Sequence, residues 1–296
     1  MRSDRKLLKE QAKQYQLKDI QQMIACFEDN ILPHISSKEE ILQRAKQRRF
    51  NKTKAMSSVL AIFGMGVGLY WYNPILQKQH YTTSIGEQKQ VLLIDGSQVS
   101  LNTNTKIDIL QRLRSRELVL NQGEAIFTVA HGQNPVSRLF ERSFTVTAGQ
   151  VYIRDIGTIF NVHKLSDEDV IVTVLEGKVD VSGLKQKKPA IPLVQGQQVR
   201  YQPLGFSSVQ QIETYRASAW QSGKIVFEQT RLEDALKEFQ RYSKFDVMIS
   251  NEQLKSIPVS GQFSVNNYEQ FMQVLPQVAP VQVITHDHKQ WRIEKK

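Results

Sequence analysis

Residues Ala55 to Leu76, AMSSVLAIFGMGVGLYWYNPIL, hold no charged side chain, and nothing else in the chain constrains its architecture as much. As one helix the run rises about 1.5 Å per residue and reaches roughly 33 Å, slightly more than the hydrocarbon thickness of a bilayer. Arg44, Lys46, Arg48, Arg49, Lys52 and Lys54 crowd its N-terminal edge, and Tyr70, Trp71 and Tyr72 stand near the other. Cations beside a spanning helix mark the cytoplasmic side, and aromatic rings settle at the interface. The pattern predicts one transmembrane helix over 55–76, with 1–54 in the cytoplasm and everything after Leu76 in the periplasm. That is a single-pass placement in the inner membrane. A buried core helix would show a 3.6-residue stripe, which this run lacks. A cleavable signal peptide would have a shorter apolar core and no small domain ahead of it. Gly64, Gly66 and Gly68 follow no strand, so they are not a nucleotide fingerprint; glycine is tolerated in membrane helices.

The 296 residues have room for two or three modest domains. A net charge of +10 raises nucleic acid as a partner, but much of the excess flanks the apolar run, where anionic lipid and topology account for it. The single cysteine, Cys26, precedes that run, so the later part must hold its fold without a disulfide. Cys26 reads as a small apolar contact and not as a reactive thiol.

Ahead of the apolar run, Ile20, Met23, Ile24, Phe27 and Ile31 recur at helical spacing, which predicts an amphipathic helix over 5–32 ended by Pro33. Ser36 with Glu39 and Ser37 with Glu40 form two overlapping capping boxes, which open a second helix carrying Ile41, Leu42 and Ala45. Two short helices bury little apolar surface between themselves, so the Ile20/Ile24/Phe27 face calls for a partner, a second copy or lipid. A partner protein is the favoured occupant. The segment is too short for a winged-helix DNA reader, and no direct contact with nucleic acid is expected.

From Tyr81 the period changes to two. Val91 to Ile94, the turn Asp95-Gly96, and Val99 with Leu101 give a hairpin. Further strands are predicted at 106–110, 117–120, 125–129, 144–147, 151–153, 159–162, 170–175 and 179–181. The result is an all-β domain, a sandwich or a rolled, solenoid-like sheet. Arg112, Arg114 and Arg116 alternate on one strand face and read as a solvated edge that resists strand pairing. Lys185, Lys187 and Lys188 stand in a turn before Pro189. His131 and His163 are isolated in sequence, without metal-ligand spacing.

Asp95-Gly96-Ser97 with Leu101-Asn102, then Leu120 with Gly123-Glu124-Ala125 and Phe127-Thr128-Val129, begin an ordered series of motifs. Phe144-Thr145-Val146, Gly157-Thr158-Ile159-Phe160-Asn161-Val162, Val172-Thr173-Val174 and Glu176-Gly177-Lys178-Val179 continue it. In order and spacing the series resembles the FecR family of single-pass anti-sigma regulators. The segment from Gln133 to Arg142 departs from the family, which passes more directly into the strand at Phe144.

The resemblance implies self-cleavage at Gly157-Thr158, as in some members. The Thr158 hydroxyl would attack the Gly157 carbonyl and leave an ester that water opens. On the residues alone a plain β-bulge glycine followed by a β-branched strand residue is the favoured reading, and the resemblance brings self-cleavage level with it.

After Trp220 strands and helices alternate. Strands are predicted at 224–227, 246–249, 259–263, 281–285 and 290–293, with helices at 231–242 and 268–275, giving a small α+β domain of two βαβ-like halves. Gly223 to Phe227, Leu232 to Leu236, Arg241-Tyr242 and Val259 to Phe263 resemble the short domain that opens secretins and TonB-dependent transporters, which FecR-family proteins carry at their C-termini. His286-Asp287-His288 reads as a solvated turn rather than a metal site, and no cofactor is expected.

The fold class expected is therefore mixed: a cytoplasmic helical segment (1–54), one transmembrane helix (55–76), an all-β periplasmic domain (77–215) and an α+β C-terminal domain (216–296). No Walker sequence, nucleophile elbow, kinase or metallohydrolase motif is present, which argues against a turnover enzyme. The resemblance implies a circuit. A TonB-dependent transporter that senses a ligand, commonly an iron chelate, offers its periplasmic signalling domain to residues 216–296. The helical segment binds an extracytoplasmic-function sigma factor. Regulated proteolysis links the two, through self-cleavage and then periplasmic and intramembrane proteases. The expected contacts are Ile20, Ile24 and Phe27 for the sigma factor, and Phe227, Leu236 and Phe263 for the signalling domain. Family members usually carry a pair of tryptophans in the N-terminal region, and residues 1–54 have none. Sigma binding is thus inferred from domain order. The rival classes are a membrane-anchored envelope interaction protein and a membrane-tethered DNA-binding regulator.

Overall fold

In the computed structural model, which describes residues 2–30, 37–132, 141–185, 189–287 and 290–296, the chain divides into two units, Met1–Trp71 and Tyr72–Lys296. The first unit holds two helices, α1 (Arg2–Asn30) and α2 (Lys38–Tyr72). The Ser37 hydroxyl accepts from the Glu40 amide at 3.1 Å and caps α2; Ser36 lies outside the described residues. Every described side chain of α1 is exposed. Its apolar stripe is confined to the second half, because Leu7 and Leu8 fall on the opposite face from Ile20 and Ile24.

The expected membrane span is corrected here. Among the described residues no helix is long and apolar enough to cross a membrane. Helix α2 stops at Tyr72, and the expected end of the span, Ile75-Leu76, begins strand β1 (Ile75–Thr82). The apolar part of α2 is thereby cut to 55–72, about 27 Å of helix, and the rest of α2 carries the basic run. Asn73 makes the break. It takes a positive φ of 48°, its side-chain carbonyl accepts from the Arg114 amide at 2.7 Å, and its NH₂ donates to the Ser115 hydroxyl at 3.0 Å. The single-pass inner-membrane placement falls with the span.

The second unit opens with a 14-stranded sheet arranged around one long strand, β5 (Ser115–Thr128). Sequence reading expects two strands there. The first half of β5 pairs antiparallel with β4 (Lys106–Arg112) and parallel with β6 (Ser143–Ala148). The second half pairs antiparallel with β3 (Gln98–Leu101) and β8 (Ile159–Lys164). Beyond them the order runs β11 (Ile191–Val194), β10 (Lys178–Gly183), β7 (Val151–Asp155), β6, β5, β8, β9 (Val170–Glu176), β12 (Gln197–Gln202), β13 (Gly205–Phe206). Strand β2 (Lys89–Leu92) pairs with β3, β1 with β4, and β14 (Gln210–Gln211) with β12. Both halves turn their apolar faces to one core, in which Phe127 stacks on Phe160 at 5.1 Å and meets Phe144 edge-on.

A short helix α3 (Thr214–Ser218) leads to a second core. Strand β15 (Lys224–Arg231) pairs with β17 (Pro258–Ser264), while β16 (Asp246–Ile249), β19 (Gln290–Lys295) and β18 (Val281–Asp287) form a separate sheet. The two expected halves are thus interleaved: the strands flanking helix α4 (Leu232–Tyr242) lie in different sheets. Helices α4 and α6 (Tyr268–Val278) bury Leu232, Ala235, Leu236, Phe239, Phe271, Met272 and Leu275, and α5 (Glu252–Lys255) buries Leu254. Ile126 of β5 belongs to this second core, so the two parts of the unit pack directly on each other.

Candidate functional site

Strand β7 lies between β6 and β10, whereas β8 lies between β5 and β9, so Ile156-Gly157-Thr158 must carry the chain from one part of the sheet to the other. Gly157 takes a φ of +112°, a conformation that an L side chain rarely adopts. Its carbonyl oxygen abuts Gly177: a Cβ there would stand 2.0 Å from it, so the Glu176-Gly177 turn requires glycine. The crossing is pinned on both sides. Ile156 donates its amide to the Lys178 carbonyl at 3.2 Å, and the Thr158 carbonyl accepts from the Val129 amide at 3.1 Å.

Asp155, at the end of β7, closes this loop. Its carboxylate accepts from the Thr158 hydroxyl and from the Gly157 amide. Its side chain is 1% exposed, and Thr158 is buried beside it. His131 comes next, with Nε2 3.0 Å from Asp155 Oδ2 and Nδ1 2.8 Å from Glu141 Oε1. Glu141 lies 3.6 Å from Arg116, which pairs with Asp95 in the Asp95-Gly96-Ser97 turn and donates to the Arg142 carbonyl at 2.5 Å. A chain of charge therefore runs from the hairpin turn to the Gly157-Thr158 peptide. It borders a cavity of about 670 Å³ lined also by Phe144, Glu176 and Thr128.

The two carboxylates at its ends titrate differently. Burial would raise Asp95, but the Arg116 guanidinium and the Ser97 amide and hydroxyl outweigh it and hold Asp95 below the usual carboxylate range. Burial wins at Asp155, whose pKa is raised in spite of the Thr158 and Gly157 hydrogen bonds and the positive charge of His131 and Arg116.

Two expectations change. Arg116 is not a solvated edge: it is 3% exposed and stacks over the Phe144 ring at 5.2 Å. Arg112 pairs with Glu117 at 2.8 Å. His131, isolated in sequence, stands between two acids. Among the described residues no group of His, Cys, Asp or Glu is placed to hold a metal ion.

A second polar cluster joins the β domain to the C-terminal domain. Glu124 accepts from Arg241 at 2.6 Å and from the Asn102 and Asn161 amides at 2.8 Å each. The Asn102 amide also donates to the Tyr242 hydroxyl at 2.7 Å, and the Thr103 hydroxyl donates to the Arg241 carbonyl at 2.9 Å. Four separate sequence motifs, those of Asn102, Glu124, Asn161 and Arg241-Tyr242, thus meet at one point. Burial raises Glu124, yet Arg241 and His163 outweigh it and bring its pKa down to about 2. His163, half-buried alongside, is pushed down to about 4, chiefly by burial.

The remaining expected site residues are dispersed. Ile20 and Ile24 are exposed on α1, as is Cys26, and the Phe27 side chain lies outside the described residues. Phe227 and Leu236 are buried in the C-terminal core and Phe263 is half-buried. The rings of Phe227, Phe239, Phe263 and Phe271 form one cluster with centroids 5.0–6.1 Å apart. These residues hold the domain together and as placed present little surface to a partner. His288 lies outside the described residues, as do the side chains of His286 and Asp287.

Known proteins bear on these two clusters. The sequence profile of the FecR protein family matches residues 79–180, which contain the Thr158 loop and Glu124, and the profile of the FecR C-terminal region matches 224–291, which contain Arg241. Together they span more than half of the 296 residues.

The chain belongs to the FecR family.

With that membership comes the role of a sigma-factor regulator, in a family that is not one of turnover enzymes. Two crystal structures of a candidate anti-sigma factor from Parabacteroides distasonis, at 2.50 and 1.65 Å, share the fold. They are 20% and 21% identical, each with a TM-score of 0.61, covering 74% of this chain and 100% and 99% of theirs. No curated protein matches the chain.

Proposed function

We propose that this FecR-family protein captures an extracytoplasmic-function sigma factor with the second half of α1. Its C-terminal domain receives the short signalling domain of a TonB-dependent transporter, and proteolysis that begins between Gly157 and Thr158 releases the captured factor. The observation that carries the capture step is the exposure of Leu17, Ile20, Met23 and Ile24 along α1. An apolar row of this kind supports docking of a partner. In a pull-down, the intact protein should retain its sigma factor. Ile24→Asp should lose it by at least about tenfold, because a carboxylate in an apolar contact is left unpaired. Undiminished capture would remove this face from the reading.

The cleavage step is supported by the Thr158 loop. The hydroxyl of a residue reaches the preceding carbonyl through a five-membered ring, and here that hydroxyl is already hydrogen-bonded to a carboxylate. The purified protein should split without added protease, with the downstream fragment starting at Thr158, and Thr158→Ala should stay whole. An unsplit wild-type chain would reduce the loop to a structural turn. The fragments should remain together, since β8 and β10 of the downstream piece pair with β5 and β7 of the upstream one.

A further inference from the structure

We propose that Asp155 is the base that takes the Thr158 hydroxyl proton in self-cleavage, with His131 as the residue that positions it. The proposal rests on the cleavage reading above and assigns the group that drives it. Among the described hydrogen bonds of the Thr158 hydroxyl the acceptor is Asp155, and the same carboxylate receives the Gly157 amide. Asp155 therefore grips both residues of the peptide that breaks. Its other flank faces His131, which Glu141 holds from behind. The charged groups around it are His131 and Arg116, with Glu141 and Glu176 lining the same cavity.

The step balances as follows. Thr158 Oγ1 bonds to the Gly157 carbonyl carbon as its proton passes to Asp155. The tetrahedral centre collapses with rupture of the Gly157–Thr158 C–N bond, and Asp155 returns the proton to the Thr158 nitrogen. Water from the cavity then adds to the ester, freeing the Thr158 hydroxyl and leaving a Gly157 carboxylate, while the proton released goes to the new Thr158 amino group. Burial, which raises the Asp155 pKa, strengthens it as a base, provided that it is still ionised at the working pH.

A plain loop cap would also explain Asp155, and asparagine separates the two roles. Asp155→Asn keeps an oxygen that accepts from the Gly157 amide and the Thr158 hydroxyl but cannot take up a proton. In the full chain, cleavage followed by denaturing electrophoresis and intact mass should slow at least about a hundredfold in Asp155→Asn. Asp155→Ala should be equally slow and should regain cleavage on addition of formate, which only a missing base predicts. The wild-type rate should fall on the acid side as Asp155 protonates. His131→Gln should move that fall to higher pH, because the imidazolium charge no longer favours the carboxylate. Cleavage of Asp155→Asn at close to the wild-type rate, with Thr158→Ala whole, would overturn the role of Asp155 and leave the cleavage site standing. A wild-type chain that stays whole would overturn both. Absence of formate rescue in a folded Asp155→Ala would return Asp155 to a cap.

Discussion

Glu124 and Asp155 are buried carboxylates of the same β domain, and their surroundings move their acidities in opposite directions. Glu124 meets a full cation, Arg241, together with two side-chain amides, and stays ionised down to about pH 2. Asp155 meets a hydroxyl, a backbone amide and an imidazole, and burial prevails over them. The difference separates a fastening from the proposed reactive centre. A buried charge that is fully matched ties two domains together, while one that is only partly matched, beside a cavity, remains chemically available.

The largest effect that would break this contrast is on the fastening. Glu124→Ala removes one of the two carboxylates that Arg241 meets, Glu238 being the other, together with the acceptor of the Asn102 and Asn161 amides, and should cost about 3–5 kcal/mol in urea unfolding. A loss under about 1 kcal/mol would mean that the pair is no fastening at all. Acid comes next. The folded pKa of Glu124, about 2, lies below its ordinary 4.5, so its stabilisation is complete above pH 4.5 and is lost as pH falls towards 2. That amounts to about 3 kcal/mol. His163, at about 4 against an ordinary 6.5, adds a loss in the same direction between those values. Melting temperature measured against pH should show both, and Glu124→Gln should flatten the lower part. The smallest effect is at Asp155. Its raised pKa gives stability that is present below the ordinary carboxylate range and lost as pH rises through the folded value. Asp155→Asn should therefore melt slightly higher than wild type at neutral pH, with the advantage shrinking in acid. A lower melting point would place Asp155 with Glu124 as a structural charge.

Much of the β architecture was legible, because alternation of apolar and polar residues is a local signal. Strand pairing at Asp95-Gly96 and the apolar face of Leu232, Ala235, Leu236 and Phe239 follow from it directly. What was illegible was contact between distant residues. Arg116 reads as one of three alternating arginines until Asp95, far earlier in the chain, is folded against it. Asn102, Glu124, Asn161 and Arg241 stood out only as motif residues, and nothing in their spacing says that they meet. The apolar run misled because hydropathy counts composition and not geometry. Asn73-Pro74, a turn signal inside the run, ends the helix at Tyr72. Phe227 and Leu236 lie in the core of their own domain, where an apolar face on a small domain goes first.

The order β10-β7-β6-β5-β8 has a mechanical consequence. The cut proposed at Gly157-Thr158 would leave three upstream strands clasped between two downstream ones, with Thr158 as a new chain end before β8, held by the Val129 amide. Tension applied to that end would meet one rung at a time, beginning at the Thr158–Val129 hydrogen bond and then where Ile159 faces Thr128, and would peel β8 from β5 and β9 together. Tension applied lengthwise to the intact ladders would have to shear many rungs at once. Such a nick would give the sheet a direction: it would resist being pulled apart from most places and yield at the end that the cut creates.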